Sequence, residues 1–122
     1  MRNEYMRPAT ELSLPVVEGT ISGDPVKVGA LNGVAATTRG EGGNAATHAS
    51  VVTDARSYEL EVDGAIEGPG TPVYLTARSG STAPSLSTTG TGDAWGYTIP
   101  KVGESGARSA TSGLAVVRPA QV

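Results

Sequence analysis

Apolar residues along this chain recur in short runs, not at helical spacing. Val26 and Val28, Val51 and Val52, Tyr58 with Leu60 and Val62, Val73 and Leu75, Ile99, and Val116 with Val117 lie in runs bounded by Gly, Pro, Asn, Asp or Ser. Gly or Pro interrupts almost every ten-residue window, and both are poor residues for a helix interior. The pattern predicts strands near 13–18, 25–31, 34–38, 49–54, 57–63, 72–77, 94–99 and 113–118. Many short strands separated by turn residues imply an all-β chain, a small antiparallel β-barrel or sandwich.

Between the strands lie three long, polar, Gly-rich loops over 37–47, 79–93 and 102–113. Residues 1–11 carry charge, Tyr5 and two Met without strand alternation, which predicts an extended N-terminal arm, with 12–122 as a single barrel-like domain. Arms that carry anchoring side chains without a fold of their own usually grip a partner.

One phrase, SGDPVKVGALNGVAA over 22–36, is partly echoed by GTPVYLTARSG over 70–80. Gly23, Pro25, Val26, Ala30 and Gly33 recur without a gap as Gly70, Pro72, Val73, Ala77 and Gly80. Pro25 opens a strand and Asn32-Gly33 is the favoured pair for a two-residue hairpin turn. Plain alternation would put Val26 and Val28 opposite Leu31, so a bulge is expected near Gly29. The echo is either a duplicated strand-turn unit or two hairpins opened alike.

Composition thins the core. Val, Leu and Ile make up just under a fifth of the 122 residues, Phe is absent, and nearly half the chain is Gly, Ala, Ser or Thr. So little bulk favours docking on partners or copies to recover burial. The net charge of -3 and scattered Lys and Arg give no basic run to displace counterions from nucleic acid, so no nucleic-acid partner is expected. There is no Cys, hence no disulfide framework or thiolate metal site. No apolar run approaches the roughly 20 residues of a membrane helix, so no membrane partner is expected. MRNEYMRPATEL lacks the apolar region of a secretory signal, and synthesis and use inside a cell are expected.

Few side chains offer chemistry. In SYELEVD, Tyr58, Leu60 and Val62 alternate with Glu59, Glu61 and Asp63, which reads as one buried and one acidic strand face. Carboxylates on one face project side by side, whereas a glycosidase pair must flank its substrate. A solvated face that discourages edge pairing is the plain reading, and a cation or an Arg-bearing partner the other. His48 is the single histidine, and neither GxSxG, HExxH nor a P-loop occurs. No catalytic residue, metal or cofactor is expected. The aromatics are Tyr5, Tyr58, Tyr74, Trp95 and Tyr97. In AWGYTIP, Trp95, Tyr97 and Ile99 are expected on one strand face, for core packing, a protein interface or stacking on a sugar. Tyr74, Trp95 and Tyr97 are the candidate oligomer or partner contacts.

SGDPVKVGALNGVAAT, YELEVDGAIE, TPVYLTARSG, GDAWGYTIP and a closing Gly-Leu-Ala-Val-Val-Arg stand in this order over about residues 13–118. Together they resemble the small capsid decoration, or cement, proteins of tailed bacteriophages. The resemblance implies a non-enzymatic β-barrel-like domain made in the host cytoplasm. It would bind the exterior of the assembled major capsid protein shell, commonly as a homotrimer at three-fold or quasi-three-fold positions, and stabilise the virion. Tyr5, Met6, Arg7 and Pro8 of the arm are the candidate capsid-gripping residues, with the loops at 37–47 and 79–93 behind them. A carbohydrate-binding module on the virion or cell surface, built on Trp95 and Tyr97 together with the acidic strand of Glu59, Glu61 and Asp63, is the alternative.

Overall fold

A computed structural model describes residues 11–53, 56–79, 81–101 and 103–120. Nine strands and no helix occur among them: β1 (Glu11–Pro15), β2 (Pro25–Val28), β3 (Leu31–Ala35), β4 (His48–Val52), β5 (Tyr58–Asp63), β6 (Pro72–Thr76), β7 (Ser85–Ser87), β8 (Gly96–Thr98) and β9 (Leu114–Pro119). The chain is all-β, as its pattern predicts. Its first half forms a four-stranded antiparallel sheet in the order β1-β4-β3-β2, and its second half a closed barrel in the order β5-β7-β6-β8-β9.

The barrel is not purely antiparallel. β7 pairs antiparallel with β6 but parallel with β5, where Val62 faces Leu86 and Asp63 faces Ser87. This closure needs a strand that alternation did not reveal. Ser85–Ser87 holds one apolar residue, Leu86, inside a Ser/Thr-rich stretch, yet that residue is buried in the barrel core. The stretch 79–93 is therefore two connections flanking a strand, not one loop.

Two apolar clusters hold the halves. Val62, Val73, Leu86, Trp95 and Val117 fill the barrel and are joined there by Val34 of β3, while Val26, Ala35 and Val51 form a second cluster with Leu14 and Val16 packed on it. β3 is buried on both faces from Asn32 to Ala35 and so serves both clusters. Gly33 is needed at that crowded position, because an added Cβ would meet the Val52 carbonyl and the Val51 side chain.

The echoed phrase resolves differently from its expected reading. The β2–β3 hairpin turns at Gly29-Ala30, with Val28 facing Leu31, and not at Asn32-Gly33. Gly29 has φ 60 and, among the described residues, none other than glycine has positive φ, the signature of a type II′ turn with Gly at its first central position. Asn32 and Gly33 lie inside β3 because packing claims both. The Asn32 amide donates to the Ala120 carbonyl at 3.1 Å, and Gly33 sits against Val52. The strand expected at 34–38 accordingly begins three residues earlier.

A bulge does occur, at Gly23 and not near Gly29. Gly23 N–H donates to the Ala35 carbonyl at 2.7 Å and Ala35 N–H donates to the Asp24 carbonyl at 2.9 Å, so two residues face one. The second copy repeats this: Gly70 N–H donates to Thr98 at 2.7 Å, and Thr98 N–H donates to the Thr71 carbonyl at 3.0 Å. Gly23 (φ 95) and Gly70 (φ 79) both take the left-handed conformation, and Pro25 and Pro72 open the strands that follow. Past that point the copies diverge, since β2 turns at Gly29 while β6 runs on to Thr76. Each half of the molecule thus opens one strand with the same glycine bulge.

The expected arm of 1–11 is shortened at its end. Glu11 is the first residue of β1 and pairs with Val52. Residues 1–10 lie outside the described residues.

Candidate interaction surfaces

The candidate contacts Trp95, Tyr97 and Tyr74 are not brought together on one surface. Trp95 is 1% exposed, and its indole N–H donates to the Val26 carbonyl at 2.9 Å, so the ring belongs to the junction of sheet and barrel. Tyr97, two residues on, is 45% exposed. The expected strip of Trp95, Tyr97 and Ile99 splits because Trp95 packs into the barrel core beside Val34 while Tyr97 and Ile99 stay exposed. Tyr74 is partly buried beneath Gly90, whose Cα lies close against the ring. Tyr5, Met6, Arg7 and Pro8 fall outside the described residues.

The junction also holds an ion pair. Arg78 Nε donates to Asp24 Oδ2 at 3.0 Å and a terminal guanidinium nitrogen donates to Oδ1 at 3.3 Å, with both side chains close to nine-tenths buried. Asp24 Oδ2 also accepts from the Ile21 N–H at 3.0 Å. Beside the pair opens a cleft of about 350 Å³, lined mainly by Pro15, Val16, Pro25, Val28, Ala77 and Pro84. Its walls are mostly apolar and aliphatic, the one carboxylate on it is bound to the one guanidinium, and Lys27 is the other charged group on its lining.

A cluster of loops gathers at this end of the sheet. Arg39 ties the 37–47 loop to the 16–24 connection, through its N–H to the Thr20 carbonyl at 3.0 Å and its Nε to the Val16 carbonyl at 3.2 Å. Asn44 of the same loop accepts from the Ser13 hydroxyl of β1 and donates to Glu41, Thr37 and Ser50. Arg78 and Ser81, at the start of the β6–β7 connection, line a shallow depression with Val17, Glu18 and Gly19. Val17 and Ile21 are about half exposed there. The structure thus joins the segment leaving β1, the 37–47 loop and the first part of the 79–93 stretch, while Glu11, where β1 begins, pairs with Val52 at the other end of that strand.

The second open surface is the outer wall of the barrel on β5, β9 and β8. On β5, Glu59, Glu61 and Asp63 point outward while Leu60 and Val62 pack inward, as the alternation predicts. On β9, Leu114 and Arg118 are exposed and Val116 is half-buried, with Val117 in the core. Tyr97 and Ile99 continue this wall across β8. Leu114 is 62% exposed, the most open large apolar residue described. The alternation of LAVVRP carried that signal, since Leu114, Val116 and Arg118 share one face. Beside it, Lys101 Nζ lies 2.6 Å from Glu59 Oε2. That hydrogen bond, with the carboxylate charge behind it, raises the lysine above its ordinary 10.5.

His48 Nδ1 lies 2.9 Å from the Thr47 hydroxyl at the start of β4. Among the described residues no group of three or more His, Cys, Asp or Glu could hold a metal ion. Comparisons with protein-family models, curated proteins and solved structures return no match.

Proposed function

We propose that this chain is a phage capsid decoration protein that docks on the outer surface of an assembled major capsid protein shell and stabilises the virion. The observation that carries the reading is the loop cluster. The Val16–Ile21 segment that follows β1, the 37–47 loop and the start of the 79–93 stretch converge at one end, where Val17 and Ile21 are half exposed. The ordered motifs that resemble the decoration family supply the identity of the partner. A ligand that binds the assembled shell better than separated subunits stabilises the shell by mass action, and many equivalent sites let modest contacts suffice.

The carbohydrate alternative rests on Trp95 and Tyr97 acting together. With Trp95 closed into the junction and Tyr97 alone at the surface, no aromatic platform supports it.

Co-sedimentation with shells of a major capsid protein encoded beside this gene tests the proposal. The wild type is expected to pellet with assembled shells and not with free subunits. Val17→Asp with Ile21→Asp, and separately removal of residues 1–10, are expected to lower occupancy at least tenfold. Wild-type protein that stays in the supernatant, or a double variant that binds undiminished, overturns the assignment of this end.

A further inference from the structure

We propose that Asn32-Gly33 is a self-modification site that the closed junction of sheet and barrel holds inactive, so that a copy whose junction opens is converted irreversibly to an isoaspartyl form that cannot close again. The site needs no partner and owes nothing to the capsid reading.

An asparagine followed by glycine is the pair most prone to cyclise, because no side chain on the second residue hinders attack of its nitrogen on the asparagine Cγ. In the folded chain the pair is disarmed from both sides. A strand side chain stands perpendicular to the sheet while the main-chain N–H lies in it, which keeps Cγ off the Gly33 nitrogen. Asn32 is 6% exposed, and its amide donates to the Ala120 carbonyl at 3.1 Å. Ala35 N–H donates to the Asp24 carbonyl, and alternation along the ladder aims Gly33 N–H at the carbonyl of Val26, its register partner. That same carbonyl accepts the Trp95 indole N–H at 2.9 Å. The attacking nitrogen and the tie between sheet and barrel therefore share one acceptor.

Packing calls for the glycine but not for the asparagine. A Cβ at position 33 would meet the Val52 carbonyl and the Val51 side chain, whereas Asn32 Oδ1 is buried with no hydrogen-bond partner among the described residues. Asn44 shows the contrast. Its amide donates to Glu41, Thr37 and Ser50, and the side chain of Ala45 after it hinders ring closure.

Once β3 parts from β2, base takes the Gly33 N–H proton and the nitrogen attacks Asn32 Cγ. The N–Cγ bond forms, the Cγ–Nδ2 bond breaks, and the amide nitrogen leaves as ammonia. Water adds to either carbonyl of the cyclic imide and reopens it to an aspartyl or an isoaspartyl chain. The isoaspartyl chain carries one more main-chain carbon between residues 32 and 33. That extra atom displaces Val34 and Ala35, which β3 delivers to the barrel cluster and the sheet cluster. The aspartyl chain keeps the normal main chain and sets its carboxylate opposite Lys27, so the isoaspartyl product is the one that stays open.

Isoaspartate formation in the full chain, located by peptide mapping, tests the site. In urea above the unfolding transition, Asn32 is expected to convert at the rate of an isolated peptide covering 28–36, and in the folded chain at least a hundredfold more slowly. Trp95→Phe, which strips the Val26 carbonyl of its indole donor, is expected to speed conversion of the folded chain about fivefold. Arg108→Ala, whose lost bonds lie at the start of β9 away from the junction, is expected to change it less than twofold. Purified isoaspartyl chain is expected to stay unfolded when urea is removed. Asn32→Ser, which cannot form the imide, is expected to refold after the same incubation as well as before it. Folded wild type that converts within tenfold of the peptide, a Trp95→Phe chain no faster than Arg108→Ala, or an isoaspartyl chain that refolds overturns the proposal.

Discussion

The indole N–H of Trp95 donates to the main-chain carbonyl of Val26, 2.9 Å away, across the junction between the barrel and the four-stranded sheet. The residue fills the barrel core and reaches an edge strand of the sheet, so it couples the two units beside the shared Val34. Trp95→Phe keeps much of the packing but removes one buried hydrogen bond, at a cost of about 1 kcal/mol. Trp95→Ala also opens a large cavity and costs about 3–5 kcal/mol, a large share of the stability of a small domain. Urea denaturation is expected to rank wild type, Phe and Ala in that order. A Phe variant as stable as wild type would deny the hydrogen bond any role.

The Asp24–Arg78 pair is a second tie at the same junction. Removing one partner strands the other in a site close to nine-tenths buried, so Asp24→Ala and Arg78→Met are each expected to lose about 3 kcal/mol. The double variant leaves no uncompensated charge and is expected to be more stable than the sum of the single losses implies. A double-mutant cycle by chemical denaturation measures this. Additive losses would show that the two side chains do not depend on each other.

How far these features could be read from the chain depends on the distance over which each is decided. The SYELEVD alternation is local, and β5 follows it residue by residue. β7 carries one apolar residue and exists because β5 and β6, both upstream in the chain, present edges to it. Gly23 was visible as part of a special phrase, but which residues bulge is set by Ala35 on the facing strand. Asn32-Gly33 has the best local turn chemistry in the chain, yet Ala120 and Val52 draw it into a strand. The candidate surfaces follow the same rule. Tyr97 and Ile99 were legible as a pair, whereas the loss of Trp95 from their strip and the arrival of Leu114 beside them come from tertiary packing.

Arg108 staples the start of β9 to the end of β5. One terminal nitrogen donates to the Val62 and Gly64 carbonyls at 2.7 and 2.6 Å, and the other to Gly113 at 2.8 Å. Its main chain also exchanges both hydrogen bonds with Ile66. Arg108→Ala is expected to cost about 2–3 kcal/mol, since several bonds to a charged donor are lost together. Arg108→Lys restores the charge but not the planar fork, so it is expected to recover less than half of the loss. Hydrogen exchange at Val62 and Gly64 is expected to quicken in both variants. Full rescue by Lys would show that charge alone suffices.

Lys101 offers a readout at high pH. Its bond to Glu59 raises its value in the folded state above 10.5, so the stabilisation is complete below the ordinary lysine range and is lost as pH rises through the folded value. The pair is exposed, so the effect on overall stability is small. An NMR titration of the Lys101 side chain is expected to show a midpoint above 10.5 that returns to the ordinary value in Glu59→Gln. A midpoint unchanged by that substitution would mean that Glu59 does not hold the ammonium.

The paired bulges make the sharpest backbone prediction. Gly23 and Gly70 have φ of 95 and 79 with open space around the position of an added Cβ, so substitution there is penalised by conformation and not by crowding. Ala at either site is expected to cost about 1–2 kcal/mol, the usual cost of a left-handed L-residue. Gly68, in the turn before the second bulge, also has open space but no positive φ. Gly68→Ala is therefore expected to be neutral or slightly stabilising, because it only narrows the unfolded ensemble. Thermal unfolding of the three variants separates the two effects. Equal losses at Gly68 and Gly70 would mean that the bulge conformation is not what the repeated phrase encodes, whereas a loss shared by Gly23 and Gly70 alone assigns its two glycines to the same backbone task in both halves.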